Sequence, residues 1–254
     1  MSVVRCERGA LPVPDPALHM VGGDEGGLRG LKQLALLEHF GLEPSASVLE
    51  IGCGLGRLSY ELASFLDLDG RYTGFDVSPD AIEWLNEHYA PRLANFQFDF
   101  VDVANPRFHA SGVADAHDVQ FQYPDAAFDM VCAFEVFMHL PLDGVRNYIS
   151  EIARVLRPGG CAVLTFMTIW EPGAEPVYQG RPFVDIGGGV HTRFPEEQAL
   201  SMGYEVELIR ELFLASGLEE FAAIEGLWQS PWKLRGPGPV HNCDLFALRR
   251  PSRA

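Results

Sequence analysis

The sequence predicts an α/β fold built on a doubly wound, mostly parallel sheet, and three observations support that prediction. Short apolar or β-branched runs alternate with amphipathic helical patterns along the chain, which is typical of a parallel sheet with helices on both faces. A glycine-rich loop directly follows the first of these runs. Hydrophobic residues make up 47% of the 254 residues and charged residues 21%, an ordinary globular composition.

The predicted elements of the first two thirds of the chain follow in a regular order. Apolar residues at helical spacing predict a first helix in "LRGLKQLALLEHFGL". Five predicted strands are then "SVLEI", "RYTGFDV", "NFQFDFVDV", "FDMVCAF" and "CAVLTFM". The helices between them are "GRLSYELASFL", "SPDAIEWLNEHYA" and "LDGVRNYISEIARVL". In the second of these, Ser78 is the expected N-cap and Pro79 the first helical residue.

The last third of the chain predicts one more helix, "YEVELIRELFLASGL", and two strands, "EEFAAIEGL" and "NCDLFALRR". Two stretches depart from the alternation: the polar insertion 104–127 and the Gly/Pro-rich segment 168–203. Long insertions of this kind often cover binding sites. We therefore expect a single domain with four parts: an N-terminal arm and helix (1–45), a binding core (46–167), a substrate-covering insertion (168–203) and a C-terminal helix with a strand pair (204–254).

Charge and cysteine content narrow the class of protein. With 35 acidic and 19 basic residues the formal net charge is −16, which argues against nucleic-acid or membrane partners. The five cysteines are odd in number and show no CxxC spacing, so we expect a reduced, cytoplasmic protein. No signal segment and no run of membrane-spanning length is expected from the sequence.

The loop after the first strand, Gly52-Cys53-Gly54-Leu55-Gly56, predicts a ligand site. Ligands of doubly wound sheets bind at the carboxyl ends of the strands, and glycine lets a ligand touch the backbone. Dinucleotide-binding folds use the spacing G-x-G-x-x-G, whereas here the spacing is G-x-G-x-G and Arg57 takes the sixth place. This difference disfavours a nicotinamide-dependent oxidoreductase.

Five motifs in order resemble those of class I S-adenosylmethionine-dependent methyltransferases, most closely small-molecule enzymes of the type-11 kind. They are "VLEIGCGLGRLS", "YTGFDVSPDAI", "FVDV", "FDMVCAFEVFMHLP" and "YISEIARVLRPGGCAVLTF", and the similarity covers roughly residues 46–167. The resemblance implies a Rossmann-like, seven-stranded sheet whose last strand is antiparallel. It also implies S-adenosyl-L-methionine as the cofactor.

The same resemblance implies roles for particular residues near the strand ends. Glu50 and the glycine loop, with Cys53 inside it, would hold the methionine half of the cofactor. Asp76 ends the second strand, 24 residues after Gly52, where an acid can accept hydrogen bonds from both ribose hydroxyls; Val77 follows it. Asp102, with Asp99 as its rival, would accept from the adenine amino group. The predicted cofactor-binding set is Glu50, Gly52, Cys53, Gly54, Gly56, Asp76, Val77, Asp102, Val103 and Phe134.

The expected reaction is in-line methyl transfer to a small-molecule acceptor, with a hydroxyl of a metabolite or natural product favoured. A hydroxyl must lose its proton, and three residues are candidates for the base: His139 and Glu135 after the fourth strand, and His191 on the covering insertion. The sequence shows no ligand cluster for a divalent metal, so we expect metal independence.

Several alternatives stay open at this point. The acceptor atom could belong to an amine or a carboxyl group, the acceptor could be a peptide, and the protein could bind the cofactor without turnover. A homodimer is compatible with the sequence. The loop 226–239, with Trp228 and Trp232, could form a wall of the acceptor pocket or could be a packed surface loop.

Overall fold

A computed structural model describes residues 11–15, 28–226, 228 and 243–252. The helices are α1 (Leu28–His39), α2 (Arg57–Phe65), α3 (Pro79–His88), α4 (Leu142–Val155) and α5 (Val206–Ala215). The longer strands are β1 (Ser47–Ile51), β2 (Arg71–Asp76), β3 (Phe96–Phe100), β4 (Phe128–Ala133), β5 (Leu156–Phe166), β12 (Glu219–Ile224) and β13 (Asp244–Arg249). Six short strands lie between β5 and α5: β6 (Thr168–Ile169), β7 (Val177–Tyr178), β8 (Arg181–Pro182), β9 (Val184–Gly187), β10 (Val190–Thr192) and β11 (Met202–Glu205).

The main sheet has seven strands in the order β12-β13-β5-β4-β1-β2-β3. Strands β1 to β5 pair in parallel, and β13 runs antiparallel to both of its neighbours. The predicted seven-stranded, mostly parallel sheet with an antiparallel last strand is therefore confirmed. The strand order reverses between β1 and β4, so the carboxyl end of β1 faces the crevice in which such sheets bind ligands.

The helix that follows β2 begins as the sequence predicts. The Ser78 hydroxyl accepts a hydrogen bond from the backbone N–H of Ala81, Pro79 is the first helical residue, and Asp80 lies in the first turn. These features satisfy a free backbone donor and complement the helix dipole. They fix the point where the chain leaves β2, and with it the position of Asp76 at the strand end.

Two predicted boundaries are wrong. The third strand ends at Phe100, so Asp102 lies two residues beyond it in an irregular segment. The fifth strand, predicted as "CAVLTFM" from Cys161, already begins at Leu156, so the residues "RPGG" lie within β5. Gly159, with φ of +83°, takes a backbone conformation that the strand tolerates because glycine has no Cβ.

The 168–203 insertion is more regular than its glycine and proline content suggests, and its role as a substrate cover stays a prediction. Strands β6, β11, β10 and β9 form a second sheet, and β7 pairs with β8 in a short hairpin. Phe183, Val190 and His191 are buried there, whereas Val184 and Ile186 on β9 are exposed. Val190 packs in the main hydrophobic core, and Phe183 packs with Met167, Ile169 and Trp228, so the insertion is anchored to the rest of the molecule.

A buried carboxylate ties this insertion to the main sheet. Asp244, 1% exposed at the start of β13, accepts hydrogen bonds from the backbone N–H groups of Thr168 (2.8 Å) and Gly226 (2.7 Å). It also accepts from the indole N–H groups of Trp170 (3.1 Å) and Trp228 (2.6 Å). Four donors from two segments, one holding Thr168 and Trp170 and the other holding Gly226 and Trp228, thus converge on one side chain, so its loss leaves several buried donors without an acceptor.

No helix in the described part of the chain is long and apolar enough to cross a membrane.

The Asp244 contacts predict a large effect on stability. Replacing Asp244 with Ala should lower the free energy of unfolding by about 3–5 kcal/mol, because unsatisfied buried donors keep their full desolvation cost. Urea denaturation followed by circular dichroism measures this change. The control is Asp69→Ala, an exposed acid whose carboxylate accepts no hydrogen bond within the described residues. A loss at Asp244 no larger than that at Asp69 would contradict the assignment.

Candidate functional site

A cavity opens at the carboxyl ends of β1, β2 and β4, where the sequence predicts the ligand site. It is lined by the end of β1, the glycine loop, the end of β2, parts of the 104–127 insertion, the turn after β4 and one residue of α1. Of the residues predicted to bind the cofactor, those lining it are Glu50, Gly52, Cys53, Gly54, Asp76, Val77, Val103 and Phe134. Gly56 and Asp102 are not among its lining residues.

The three glycines of the loop all have positive φ, but their surroundings differ. A Cβ on Gly52 would lie 2.5 Å from Val136 Cγ2, and one on Gly56 would lie 2.6 Å from Ser59 Oγ. These two positions need glycine for packing as well as for conformation. A Cβ on Gly54, with φ of +50°, would meet nothing within 4 Å. Gly54 therefore presents bare backbone to the cavity.

Glu50, the penultimate residue of β1, is a buried acid that lines the cavity. It is 4% exposed, and Oε2 accepts a hydrogen bond of 2.5 Å from the Tyr72 hydroxyl. The hydroxyl reaches it because Gly74, the residue opposite Glu50 on β2, has no side chain in the way. Burial raises the pKa of Glu50 from 4.5 to about 8, opposed in part by the Tyr72 hydrogen bond. The site thus holds an acid that gains most from a cationic ligand.

Asp76 ends β2 across the loop from Glu50. Its Oδ2 accepts from the backbone N–H of Gly54 (2.7 Å) and its Oδ1 from that of Ser78 (2.8 Å). Burial raises its pKa, and these backbone hydrogen bonds act in the opposite direction. The carboxylate therefore holds the glycine loop and the start of α3 in place, and its remaining lone pairs are available to hydroxyl donors.

The two acids considered for adenine recognition lie at the periphery of the cavity. Asp102 Oδ1 accepts from His109 Nε2 (2.8 Å) and from the backbone N–H of Val113 (3.2 Å). Asp99 accepts from the Tyr123 hydroxyl (2.9 Å). Neither lines the cavity, whereas Val103 does. The role of Asp102 stays a prediction, and the structure shows it tied to the 104–127 insertion.

The turn after β4 holds Phe134 and Glu135 against the cavity. Glu135 has φ of +60°, a left-handed conformation that costs a non-glycine residue about 1–2 kcal/mol. Its N–H donates to Thr165 Oγ1 at 2.8 Å, and its Oε2 lies 3.8 Å from the Arg29 guanidinium. Backbone strain of this kind is typical of functional sites.

His139 lines the cavity from a 3₁₀ turn, Phe137–His139. It is 4% exposed, and its Nδ1 has no hydrogen-bond partner among the described residues. Its ring meets that of Phe108 edge to face, with 5.2 Å between centroids. Burial, reinforced by the charge of Arg107, lowers its pKa to about 4. The imidazole is therefore neutral at pH 7.

His191 does not line the cavity. It is fully buried on β10, opposite Gly203 of β11. Its Nε2 lies 3.6 Å from Glu205 Oε1, and neither ring nitrogen has a hydrogen-bond partner within the described part of the chain. The structure thus brings Glu135 and His139 together at one cavity and places His191 inside the second sheet.

Several other lining residues were not predicted from the sequence to hold a ligand. Polar or aromatic examples are Gln33 on α1, Asn105 and Phe108 in the polar insertion, and Tyr148 on α4. Arg57, noted above only for its place after the glycine loop, also lines the cavity. Asn105 carries a signal that is visible only in three dimensions, because its side-chain N–H donates to the His139 carbonyl at 3.1 Å. Gln33 could have been noticed in the sequence as a polar residue among the apolar residues of the first helix. In the structure its Oε1 is buried and has no hydrogen-bond partner among the described residues.

Among the described residues, no group of three or more His, Cys, Asp or Glu side chains could hold a metal ion. Metal independence stays a prediction.

Comparison with known proteins assigns residues 48–160 to a family model described as a methyltransferase domain. The chain is 29% identical over 222 residues to the sterol 24-C-methyltransferase of Candida albicans, covering 82% of this chain and 51% of that protein. It is 33% identical over 112 residues to O-methyltransferase rstn1 of Aspergillus nomiae, covering 44% of this chain and 42% of that protein. The chain thus spans about half the length, or less, of these relatives.

A solved structure with the same fold is the 1,6-didemethyltoxoflavin-N1-methyltransferase of Burkholderia thailandensis, with bound 1,6-didemethyltoxoflavin and S-adenosylhomocysteine. It superposes with a TM-score of 0.55 at 18% identity, covering 90% of this chain and 80% of that one. At this identity the likeness shows the fold alone.

The raised pKa of Glu50 predicts a pH-dependent stability in the protein without ligand. The folded state binds the Glu50 proton more tightly than the unfolded state, so the free energy of unfolding should fall as pH rises from 4.5 to about 8. The loss should reach a few kcal/mol. The Glu50→Gln variant lacks this titration and should lose less stability over the same range.

Urea denaturation at several pH values measures the difference between the two proteins. Glu83→Gln, an exposed change of the same chemistry on α3, is the matched control and should follow the wild type. Parallel curves for wild type and Glu50→Gln would show that the acid is not destabilised by burial.

Proposed function

We propose that this chain, whose residues 48–160 match a methyltransferase domain, is a class I S-adenosylmethionine-dependent methyltransferase that methylates a small-molecule acceptor, with a hydroxyl oxygen as the favoured target. One observation carries the proposal: the buried Glu50 and the bare backbone of Gly54 face the same cavity as Asp76. A cationic amino-acid group, a close backbone approach and a hydroxyl-bearing ribose are the features that such a site selects. The resemblance on which the cofactor expectation rested is confirmed.

The residues of the cavity fit S-adenosylmethionine. Glu50 would hold the ammonium group, because a positive charge at hydrogen-bond distance offsets the cost of ionising a buried acid. Asp76 would accept from the ribose hydroxyls. Val77 and Val103 supply apolar surface where a base would pack. When bound, the cofactor supplies an electrophilic methyl group on a sulfonium.

Holding the acceptor in line with that methyl group is the main task left to the protein. Proximity and orientation alone are worth about 7–11 kcal/mol in well-positioned reactions. Phe134, Phe108 and Leu140 form the apolar part of the cavity wall next to Glu135 and His139. This wall would exclude water and present the acceptor atom to the two polar side chains.

A hydroxyl acceptor needs a group that takes its proton. Neutral His139 has an unprotonated ring nitrogen at pH 7, but a pKa of about 4 makes it a weak base. Its suitable role is to accept a hydrogen bond from the acceptor hydroxyl and orient it. Glu135 is the second polar group that lines this part of the cavity. The hydrogen bond from its backbone N–H to Thr165 helps to hold its strained backbone conformation. His191 does not line this cavity, so we do not assign it a contact with the acceptor.

Small-molecule methyl transfer is supported by the names of the relatives, which point to three different acceptor atoms. One is a sterol C-methyltransferase, one an O-methyltransferase and the fold neighbour an N-methyltransferase. The oxygen preference rests on His139 and Glu135 in the cavity wall. The alternative is N- or carboxyl-methylation of a small molecule or a peptide.

The 168–203 insertion packs against the outer side of the turn that carries His139, which we propose to face the acceptor. A 3₁₀ turn, Gln198–Leu200, and strand β11 pack against the turn that holds His139. The Tyr204 hydroxyl on β11 donates to the carbonyl of Leu140, a cavity residue. Removing 175–195 would take away β10 and the buried Phe183, so point changes test the role of this segment better than deletion.

The function is tested most directly by mass spectrometry. Candidate acceptors are incubated with the protein and S-adenosylmethionine, and a gain of one methyl group identifies the substrate. Loss of that gain on omitting either protein or cofactor completes the assignment. Binding of the cofactor with no methylation of hydroxyl, amine or carboxyl acceptors would favour a binding protein instead.

Asp76 should be required for cofactor binding. Asp76→Ala removes an acceptor for the ribose hydroxyls, and hydrogen bonds to a charged group are worth about 1.5–3 kcal/mol each. We expect calorimetry to show an affinity for S-adenosylhomocysteine at least about tenfold lower.

The matched control is Asp129→Ala. Asp129 likewise accepts a hydrogen bond from a backbone N–H, that of Ser47, but it lies at the amino-terminal end of β4, away from the carboxyl ends of the strands where the cavity opens. Its loss should leave cofactor affinity within about twofold. Equal affinities for wild type and Asp76→Ala would refute the placement of the ribose.

His139→Phe keeps the ring contact with Phe108 and removes both nitrogens. With the acceptor found by mass spectrometry, kcat should fall by about a hundredfold, while affinity for S-adenosylhomocysteine stays unchanged. The wild-type rate should show no inflection from His139 between about pH 5.5 and 8, because its pKa lies near 4. A variant with normal kcat would reduce His139 to a packing residue.

A further inference from the structure

Three arginines cluster with aromatic rings beside the acceptor side of the cavity. The Arg181 guanidinium lies 4.7 Å from the ring centre of Phe194, and that of Arg193 lies 5.3 Å from the same ring. Arg193 also lies 4.9 Å from the ring centre of Tyr178. Arg107 lies over Phe108, 5.5 Å from its centre. Two guanidiniums therefore share one ring, and three separate chain segments bring the arginines together.

The cluster is not neutralised within the described part of the chain. No Asp or Glu oxygen there lies within 4.0 Å of the three guanidiniums, although Arg154, Arg157 and Arg210 all form such pairs. Arg193 Nε is buried without a hydrogen-bond partner. Burial lowers the pKa of Arg193, and the charges of Arg181 and Arg107 lower it further. The three guanidiniums therefore repel one another with no carboxylate of the described residues close enough to offset that repulsion.

The position of the cluster connects it to the cavity. Phe108, under Arg107, lines the cavity, and the charge of Arg107 contributes to the low pKa of His139.

Burial raises the pKa of Tyr178, and the charges of Glu135, Arg193 and Arg29 also act on it. Tyr178 rests on Trp228, with 6.2 Å between ring centres, so the Asp244 hydrogen bonds support it from behind.

We propose that Arg107, Arg181 and Arg193, with the rings of Tyr178 and Phe194, form an acceptor subsite for an anionic group, a carboxylate or a phosphate, carried on a planar or apolar body. This inference rests on the proposed function and names its substrate class. Guanidinium groups bind planar oxyanions through two parallel hydrogen bonds. Stacking on the rings holds them in place before the ligand arrives. An anion here offsets the repulsion among the arginines, which neighbouring side chains do not.

The subsite also explains how an acidic protein could take an acidic acceptor. A net charge of −16 repels anions at long range. Salt screens that field beyond about 8–10 Å, whereas a partly buried arginine group acts at contact. The acceptor's anionic end would bind at the arginines, and its reactive atom would extend toward Glu135 and His139.

The test uses three matched probes and the protein saturated with S-adenosylhomocysteine. The probes are 2-naphthoate, 2-naphthyl phosphate and the uncharged 2-naphthamide, and calorimetry measures their binding. At least one anionic probe should bind about tenfold or more tightly than the amide. Preference for the carboxylate or for the phosphate identifies which anion the subsite takes. Equal binding of all three, or no binding of either anion, overturns the proposal.

Variants locate the preference. Arg193→Gln and, separately, Arg181→Gln on the exposed β8 should each reduce the anion-over-amide preference about tenfold, and Arg193→Lys should restore part of it. Arg71→Gln, the same change at the exposed amino-terminal end of β2, should leave the preference unchanged. If Arg71→Gln reduces it as much, the effect is one of net charge and the subsite is wrong.

The same samples separate this inference from the proposed function. Affinity for S-adenosylhomocysteine, measured first, should be equal in wild type, Arg193→Gln and Arg181→Gln. Failure of the wild type to bind it would overturn the proposed function. Normal cofactor binding together with an absent anion preference would overturn the subsite alone.

Discussion

Burial of a single acid at the end of the central strand governs the arrangement of the site. The side chain of Glu50, near the carboxyl end of β1, accepts a hydrogen bond from the Tyr72 hydroxyl of the neighbouring strand β2. That contact requires the absence of a side chain at Gly74 and a sheet register that sets Gly74 opposite Glu50. A carboxyl group placed this way costs free energy when it ionises without a partner. The fold therefore contains a place where a cation is worth more than it would be in water.

The glycine loop and Asp76 depend on the same strand ends. Asp76 accepts from Gly54 and Ser78, so one carboxylate holds the loop that follows β1 and the helix that follows β2. The positive φ values of the loop turn its backbone toward the cavity. Local rules of capping and glycine conformation thus produce a cavity only because β1 and β2 are adjacent and parallel.

The part of the molecule that we propose to hold the acceptor is organised by a different buried acid. Asp244 accepts hydrogen bonds from two segments: from Thr168 and Trp170, just after β5, and from Gly226 and Trp228, after β12. Trp228 supports Phe183 and Tyr178, and Tyr178 in turn lies under Arg193. One polar contact in the interior therefore positions a surface that lies several side chains away. The proposed cofactor and acceptor regions meet at the turn that holds Glu135 and His139, both of which line the cavity.

The alternation of strands and helices could be predicted from the sequence alone, as could the position of the glycine loop and the placement of Glu50 and Asp76 at strand ends. These follow from short-range periodicity and from the rule that ligands bind at the carboxyl ends of parallel strands. The sequence did not reveal the second sheet, because strands of two to four residues are stabilised by tertiary pairing rather than by a pattern. It placed His191 beside the acceptor, whereas the pairing of β10 between β9 and β11 buries that ring. Only the tertiary structure brought Asn105, Phe108 and Gln33 to the cavity and gathered Arg107, Arg181 and Arg193, because contacts between segments far apart in the chain leave no local signal.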